Sequence, residues 1–75
     1  MIYINISKNG NLITLDCHKG SENGEAFTII IDAETKEIID RSHVSDIDAS
    51  VAFGHVYSML LNNKSLPEKT VAAWG

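Results

Sequence analysis

A single cysteine is all the thiol chemistry the sequence holds. It excludes an internal disulfide and agrees with a reducing compartment. No run approaches the ~18 consecutive apolar residues of a membrane-spanning helix. Met1 leads straight into a strand pattern, without the basic segment of a secretory signal. The expectation is therefore a cytoplasmic protein, in which the glycosylation patterns at Asn5-Ile6-Ser7 and Asn63-Lys64-Ser65 carry no meaning. Bases are scarce as well. Six lysines and arginines face ten aspartates and glutamates, for a net charge of −4. The deficit is local, because Glu22 to Asp48 holds eight acids and two bases while the rest of the chain is positive. That acidic middle excludes duplex nucleic-acid contact there, which needs Lys and Arg to displace counterions. It suits a basic protein partner or a simple solubilising surface.

Other absences narrow the chemistry. The segment His18 to Gly24 contains two glycines but no Gly-Lys-Ser/Thr, and no helix pattern follows it, so it is no phosphate loop. None of the familiar metal-ligand spacings is present. No internal repeat and no low-complexity segment occurs. At 75 residues the chain is expected to form one domain, and 44% hydrophobic content places it among globular sequences. A domain this small, with neither disulfide nor evident metal, often gains stability by oligomerising.

What is there is organised around Ser45 to Asn63, the one segment long and periodic enough for a full helix, expected over residues 46–63. Ser45 is the N-cap, Asp48 stands in the reciprocal position of a capping box, and Asp46 and Asp48 favour the helix dipole. Stepping 100° per residue from Ile47 puts Met59, Ala52, Val56, Ala49, Leu60, Phe53 and Tyr57 on one arc of about 160°, wider than the roughly 100° a surface helix needs. Leu61 extends the arc, and Val51 intrudes on a polar side formed by Asp48, Gly54, His55, Ser58 and Asn62. Such a helix wants cover on two sides. One is the sheet, and the other is the C-terminal tail, a second copy or a partner.

Before the helix come four short strands, expected at 2–7, 12–17, 25–32 and 37–41. Ile2, Ile4 and Ile6 alternate with Tyr3, Asn5 and Ser7. Asn9-Gly10 is a strong hairpin signal of type I′. Used as the two loop residues, they pair Ile6 with Ile13, Ile4 with Leu15 and Ile2 with Cys17, which gathers six apolar side chains on one face and leaves a mostly polar, wet opposite face. Phe27, Ile29 and Ile31 alternate with Ala26, Thr28 and Ile30 in the third strand. A four-residue loop, 33–36, pairs Ile31 with Ile38 and Ile30 with Ile39, and requires Lys36 in the left-handed region. After the helix, Ser65-Leu66-Pro67-Glu68 repeats a capping-box pattern, so the tail, residues 66–75, is expected to be a short helix from Leu66 to about Ala73 that returns Val71 and Trp74 to the body. The fold class is α+β: a four-stranded antiparallel sheet, two β-hairpins in meander order, packed on one long C-terminal helix, plus a short helical tail.

Three constellations carry chemistry-bearing residues. Asp16-Cys17-His18 sets a thiol beside an imidazole, but strand neighbours point to opposite faces, so Cys17 reads as a core residue and His18 as outward-facing. Asp40, Arg41, His43, Asp46 and Asp48 crowd the helix entry, where acids and a histidine have the chemistry of a divalent-cation or acid–base site. The simpler account gives the aspartates to the helix dipole and Arg41 to a nearby acid. His55, with Asn62 and Asp48, lies on the helix's polar side, where an imidazole is ordinarily solvated. No catalytic, cofactor-binding or metal residue is assigned, and no cofactor is expected.

The functional expectation is a small acidic protein of the interaction, accessory or inhibitory type, and its partner is another protein or a second copy of itself. Size and charge of this kind suit accessory proteins of bacteria and their phages. The residues expected to make contact are Ile47, Val51, Tyr57 and Leu61 on the helix, Glu34, Glu37 and Asp40 on the acidic hairpin, and Trp74 in the tail. The alternatives are a metal-binding protein or small enzyme using His43, Asp46 and Asp48, or a weak nucleic-acid binder through the wet face of the first hairpin. No membrane partner is expected.

Overall fold

The computed structural model describes residues 1–21, 23–42, 44–62 and 65–73. Strands β1 (Ile2–Asn9), β2 (Leu12–Lys19), β3 (Glu25–Asp32) and β4 (Ile38–Arg41) precede helix α1 (Asp46–Leu61), and strand β5 (Lys69–Ala72) follows it. Among the described residues the architecture is α+β, an antiparallel sheet covered on one face by one helix. The four leading strands follow one another as a meander, but the sheet has five strands in the order β4-β3-β2-β1-β5.

Alternation builds the core. Ile2, Ile4 and Ile6 of β1, Ile13, Leu15 and Cys17 of β2, and Phe27, Ile29 and Ile31 of β3 all point to the helix side and are buried. Each large side chain withdrawn from water is worth roughly 1.5–3 kcal/mol, so this triple row is the main source of stability. The register of the first hairpin differs from the sequence expectation by one rung. Gly10 and Asn11, not Asn9 and Gly10, form the turn, and Ile4 lies opposite Cys17 and Ile6 opposite Leu15. Gly10 has φ +62°, whereas Asn11 is not among the residues of positive φ. A glycine first and a negative φ second is the type II′ pattern, as compatible with strand twist as type I′. The slip moves the pairing by two residues in all, an even number, so every side chain keeps its expected face.

The second hairpin follows its expected start, with Ile31 opposite Ile38 and Lys36 at φ +64°. The Asp32 carboxylate accepts from the Glu34 and Thr35 N–H groups at 2.8 and 3.1 Å and shapes that turn. A bulge then interrupts the ladder, so Ile30 lies opposite Asp40 rather than Ile39. Ile39 is the extra residue and is 54% exposed.

The expected tail helix is a strand instead. Lys69–Ala72 pairs antiparallel with Ile2–Asn5, and the Ile6 N–H donates to the Glu68 carbonyl at 2.8 Å. Thr70 and Ala72 face the helix, and Lys69 and Val71 face away. Two effects override the capping pattern at Ser65: the β-branched Thr70-Val71 pair favours extended backbone, and β1 would otherwise leave a row of N–H and C=O groups unpaired at the sheet edge.

Candidate functional site

Helix α1 begins as its sequence requires. The Asp48 N–H donates to Ser45 Oγ at 3.2 Å, and the Ser45 hydroxyl donates to Asp48 Oδ2 at 2.8 Å. Asp48, expected on the polar side, is buried and also meets Lys19 Nζ at 3.0 Å. Asp46 is exposed and meets Arg41 at 2.7 Å. The two aspartates therefore turn to different cations. His43, the third member of that constellation, lies outside the described residues, as does Trp74. Among the described residues no three His, Cys, Asp or Glu side chains converge as a metal site does.

The helix meets the sheet through small side chains, Ala49, Ala52 and Val56, which are buried to within 2%. Phe53 and Tyr57 stack at one margin with ring centroids 5.3 Å apart. His55, expected in solvent, is half-buried at the other margin, and its Nε2 lies 2.9 Å from Thr70 Oγ1, which ties the helix to β5.

The outward side of α1 is unlike that of an ordinary surface helix. Ile47 is 70% exposed and Leu61 57%. Ser50, Gly54 and Ser58 are exposed between them, and Val51 and Tyr57 are partly buried at the flanks. From Ala49 to Asn62 there is no Lys, Arg, Asp or Glu at all. The structure thus brings together the four helix residues expected to make contact, Ile47, Val51, Tyr57 and Leu61. It does not add the acidic hairpin to them as one patch. Glu34 and Glu37 belong to the β3–β4 turn and its exit, and Asp40 lies opposite Ile30, on the side of the sheet turned away from the core.

Among the described residues nothing covers that other face of the sheet. Val71, Tyr3, His18 and Ala26 form one row across four strands, and Lys69, Asn5, Asp16 and Thr28 the next. A shallow depression of about 350 Å³ lies between Tyr3, His18, Lys69 and Val71. A larger groove, about 930 Å³, opens where Leu60 of α1 approaches the tip of the first hairpin, and Lys8, Lys36 and Lys69 stand around it. Those three lysines are remote in sequence, and no local pattern announces their meeting.

Cys17 and His18 separate as strand geometry dictates. The thiol is fully buried, and burial first, then the Asp16 charge, pushes it up to about 12. A thiol so disfavoured as thiolate is no nucleophile at neutral pH. His18 lies on the open face, with Nδ1 3.5 Å from the Gly24 carbonyl.

No protein-family model matches the chain, and neither the curated proteins nor the solved structures provide a match.

Proposed function

We propose that the chain is a protein-binding module of accessory or inhibitory type that works through the outward face of α1. The observation that carries this reading is the uncharged stretch from Ala49 to Asn62 combined with the exposure of Ile47 and Leu61. A helix with one face on a sheet normally gives its other face to charged residues, and one that is apolar or neutral all round is normally covered on all sides. Among the described residues the sheet covers one side and β5 pairs with β1, and none covers the outward face where Ile47 and Leu61 are exposed. Depletion of charge at the centre of a contact, with an aromatic at its edge, is the composition of protein interfaces. A cytoplasmic setting belongs to the same reading and is supported by the lone, buried cysteine.

A photo-crosslinking residue in place of Ser50 tests it, in extract of cells producing the protein. The same residue in place of Asn5, on the open sheet face, is the control. Adducts are expected from position 50, reduced at least several-fold by Ile47→Glu. Equal adducts from both positions, or none from position 50, overturn the reading.

A further inference from the structure

We infer that the occupant of this face is a second copy of the chain, packed with its α1 antiparallel about a two-fold axis at Gly54. The inference rests on the protein-binding reading and names its partner. Its basis is a symmetry in the helix itself. Gly54 is at the middle of Asp46–Leu61. Ile47 and Leu61 stand seven residues either side of it, Ser50 and Ser58 four, and Val51 and Tyr57 three. Separations of three, four and seven keep residues on one face of an α-helix. The outward strip is therefore a palindrome of shape: large apolar, small, large apolar, glycine, then the same classes in reverse.

In an isologous contact residue i of one copy meets residue j of the other and j meets i, so a two-fold axis at Gly54 pairs each class of side chain on this strip with its like. In an antiparallel pair, Ile47 lies against Leu61 of the second copy, Ser50 against Ser58, and the two Gly54 residues face each other. Gly54 leaves open space around its outward side, with nothing within 4 Å of where a Cβ would stand. Two backbones approach closely at such a point.

Charge selects the same arrangement. Each chain carries −4, yet the strip between Asp48 and Asn62 brings no like charges together. A parallel pair would set Asp46 beside Asp46. The antiparallel pair separates them by roughly the helix length, about 24 Å, and places each positive helix end beside a negative one. Size sets the strength. A strip about 24 Å long and about 10 Å wide is well below the ~800 Å² per partner of a standard stable interface. Association is therefore of the weak, concentration-dependent class.

The test uses the full chain. Light scattering or sedimentation from about 10 μM to 1 mM should show the mass rising toward that of two chains, and Ile47→Glu should hold it at one chain with its melting temperature nearly unchanged. Orientation is read by disulfide trapping, for which the buried Cys17 gives little background. A Ser50→Cys chain mixed with a Ser58→Cys chain should link at least several-fold faster than either alone, and Gly54→Cys should link to itself. A wild-type chain that stays monomeric at about 1 mM, or Ser50→Cys linking to itself as fast as to Ser58→Cys, overturns the second copy as occupant. The protein-binding reading fails separately, on the loss of face-specific adducts in extract.

Discussion

Lys19 Nζ lies 3.0 Å from Asp48 Oδ2, so the last residue of β2 clasps the first turn of α1. The same carboxylate takes the Ser45 hydroxyl. One aspartate thereby joins the N-cap to the sheet and fixes where the helix starts over the strands. The Lys19 hydrogen bond first, and the Ser45 hydrogen bond second, hold its carboxyl below the usual carboxylate range.

The pH dependence follows from that direction. A carboxyl whose folded-state pKa is depressed contributes stability that is present above its unfolded value, near 3.9, and lost as pH falls through its folded value. Urea midpoints should therefore drop below about pH 4. Asp48→Asn should cost about 1–2 kcal/mol at pH 7 and flatten that acid limb. An unchanged midpoint at pH 7 would contradict the clasp.

Cys17 offers a chemical readout of global unfolding. A fully buried thiol pushed up to about 12 should resist alkylation in the native protein at pH 8. In denaturant it should react at the rate of a free cysteine. Native labelling at a comparable rate would place the thiol outside the core.

Lys36 sits at φ +64° in the β3–β4 turn. A side chain there costs roughly 1–2 kcal/mol, and glycine removes most of that cost while adding some unfolded-state entropy. Lys36→Gly should raise stability by about 0.5–1 kcal/mol, or about 2–8 °C in melting temperature for a chain of this size.

Ala52 is fully buried where α1 lies on the sheet. Overpacking such a point typically costs 1–3 kcal/mol. Ala52→Leu should lower the urea midpoint accordingly, while Ser50→Leu, one side of the same helix away, should leave it nearly unchanged.

Much of this fold was legible because strand and helix periods are local. Alternation alone separated the isoleucines, Leu15 and Cys17 of the first hairpin, and Phe27, Ile29 and Ile31 of the third strand, from their neighbours, although it did not say which set of the third strand joins the core. Lys36 was required in the left-handed region by loop length. The helix start at Ser45 followed from capping chemistry. What escaped was set by partners distant in sequence. Nothing in Leu66–Ala72 says that β1 lacks a neighbour, so the capping pattern there pointed to a helix. Asp48 and His55 looked solvent-facing on a helical wheel, because the wheel shows neither Lys19 nor Thr70. The bulge at Ile39 is equally a matter of how β4 bends at the sheet edge. Of the expected contact residues, Ile47 and Leu61 lie outward on α1 with Val51 and Tyr57 partly buried at the flanks, while Asp40 was assigned to the acidic hairpin by charge, which does not specify a side of the sheet.

The position of β5 bears on the order in which the molecule assembles. β1 to β4 are joined by short turns, so their pairing is local and fast. β1, although first in the sequence, keeps one edge unpaired until Lys69–Ala72 arrives from beyond the helix. Until then the segment Ile2–Ile6 is an open strand with three isoleucines on its core face, the form in which a nascent or truncated chain recruits a foreign strand. Docking of β5 in that sense shields the protein's own edge from aggregation, and the His55–Thr70 contact couples that shield to α1.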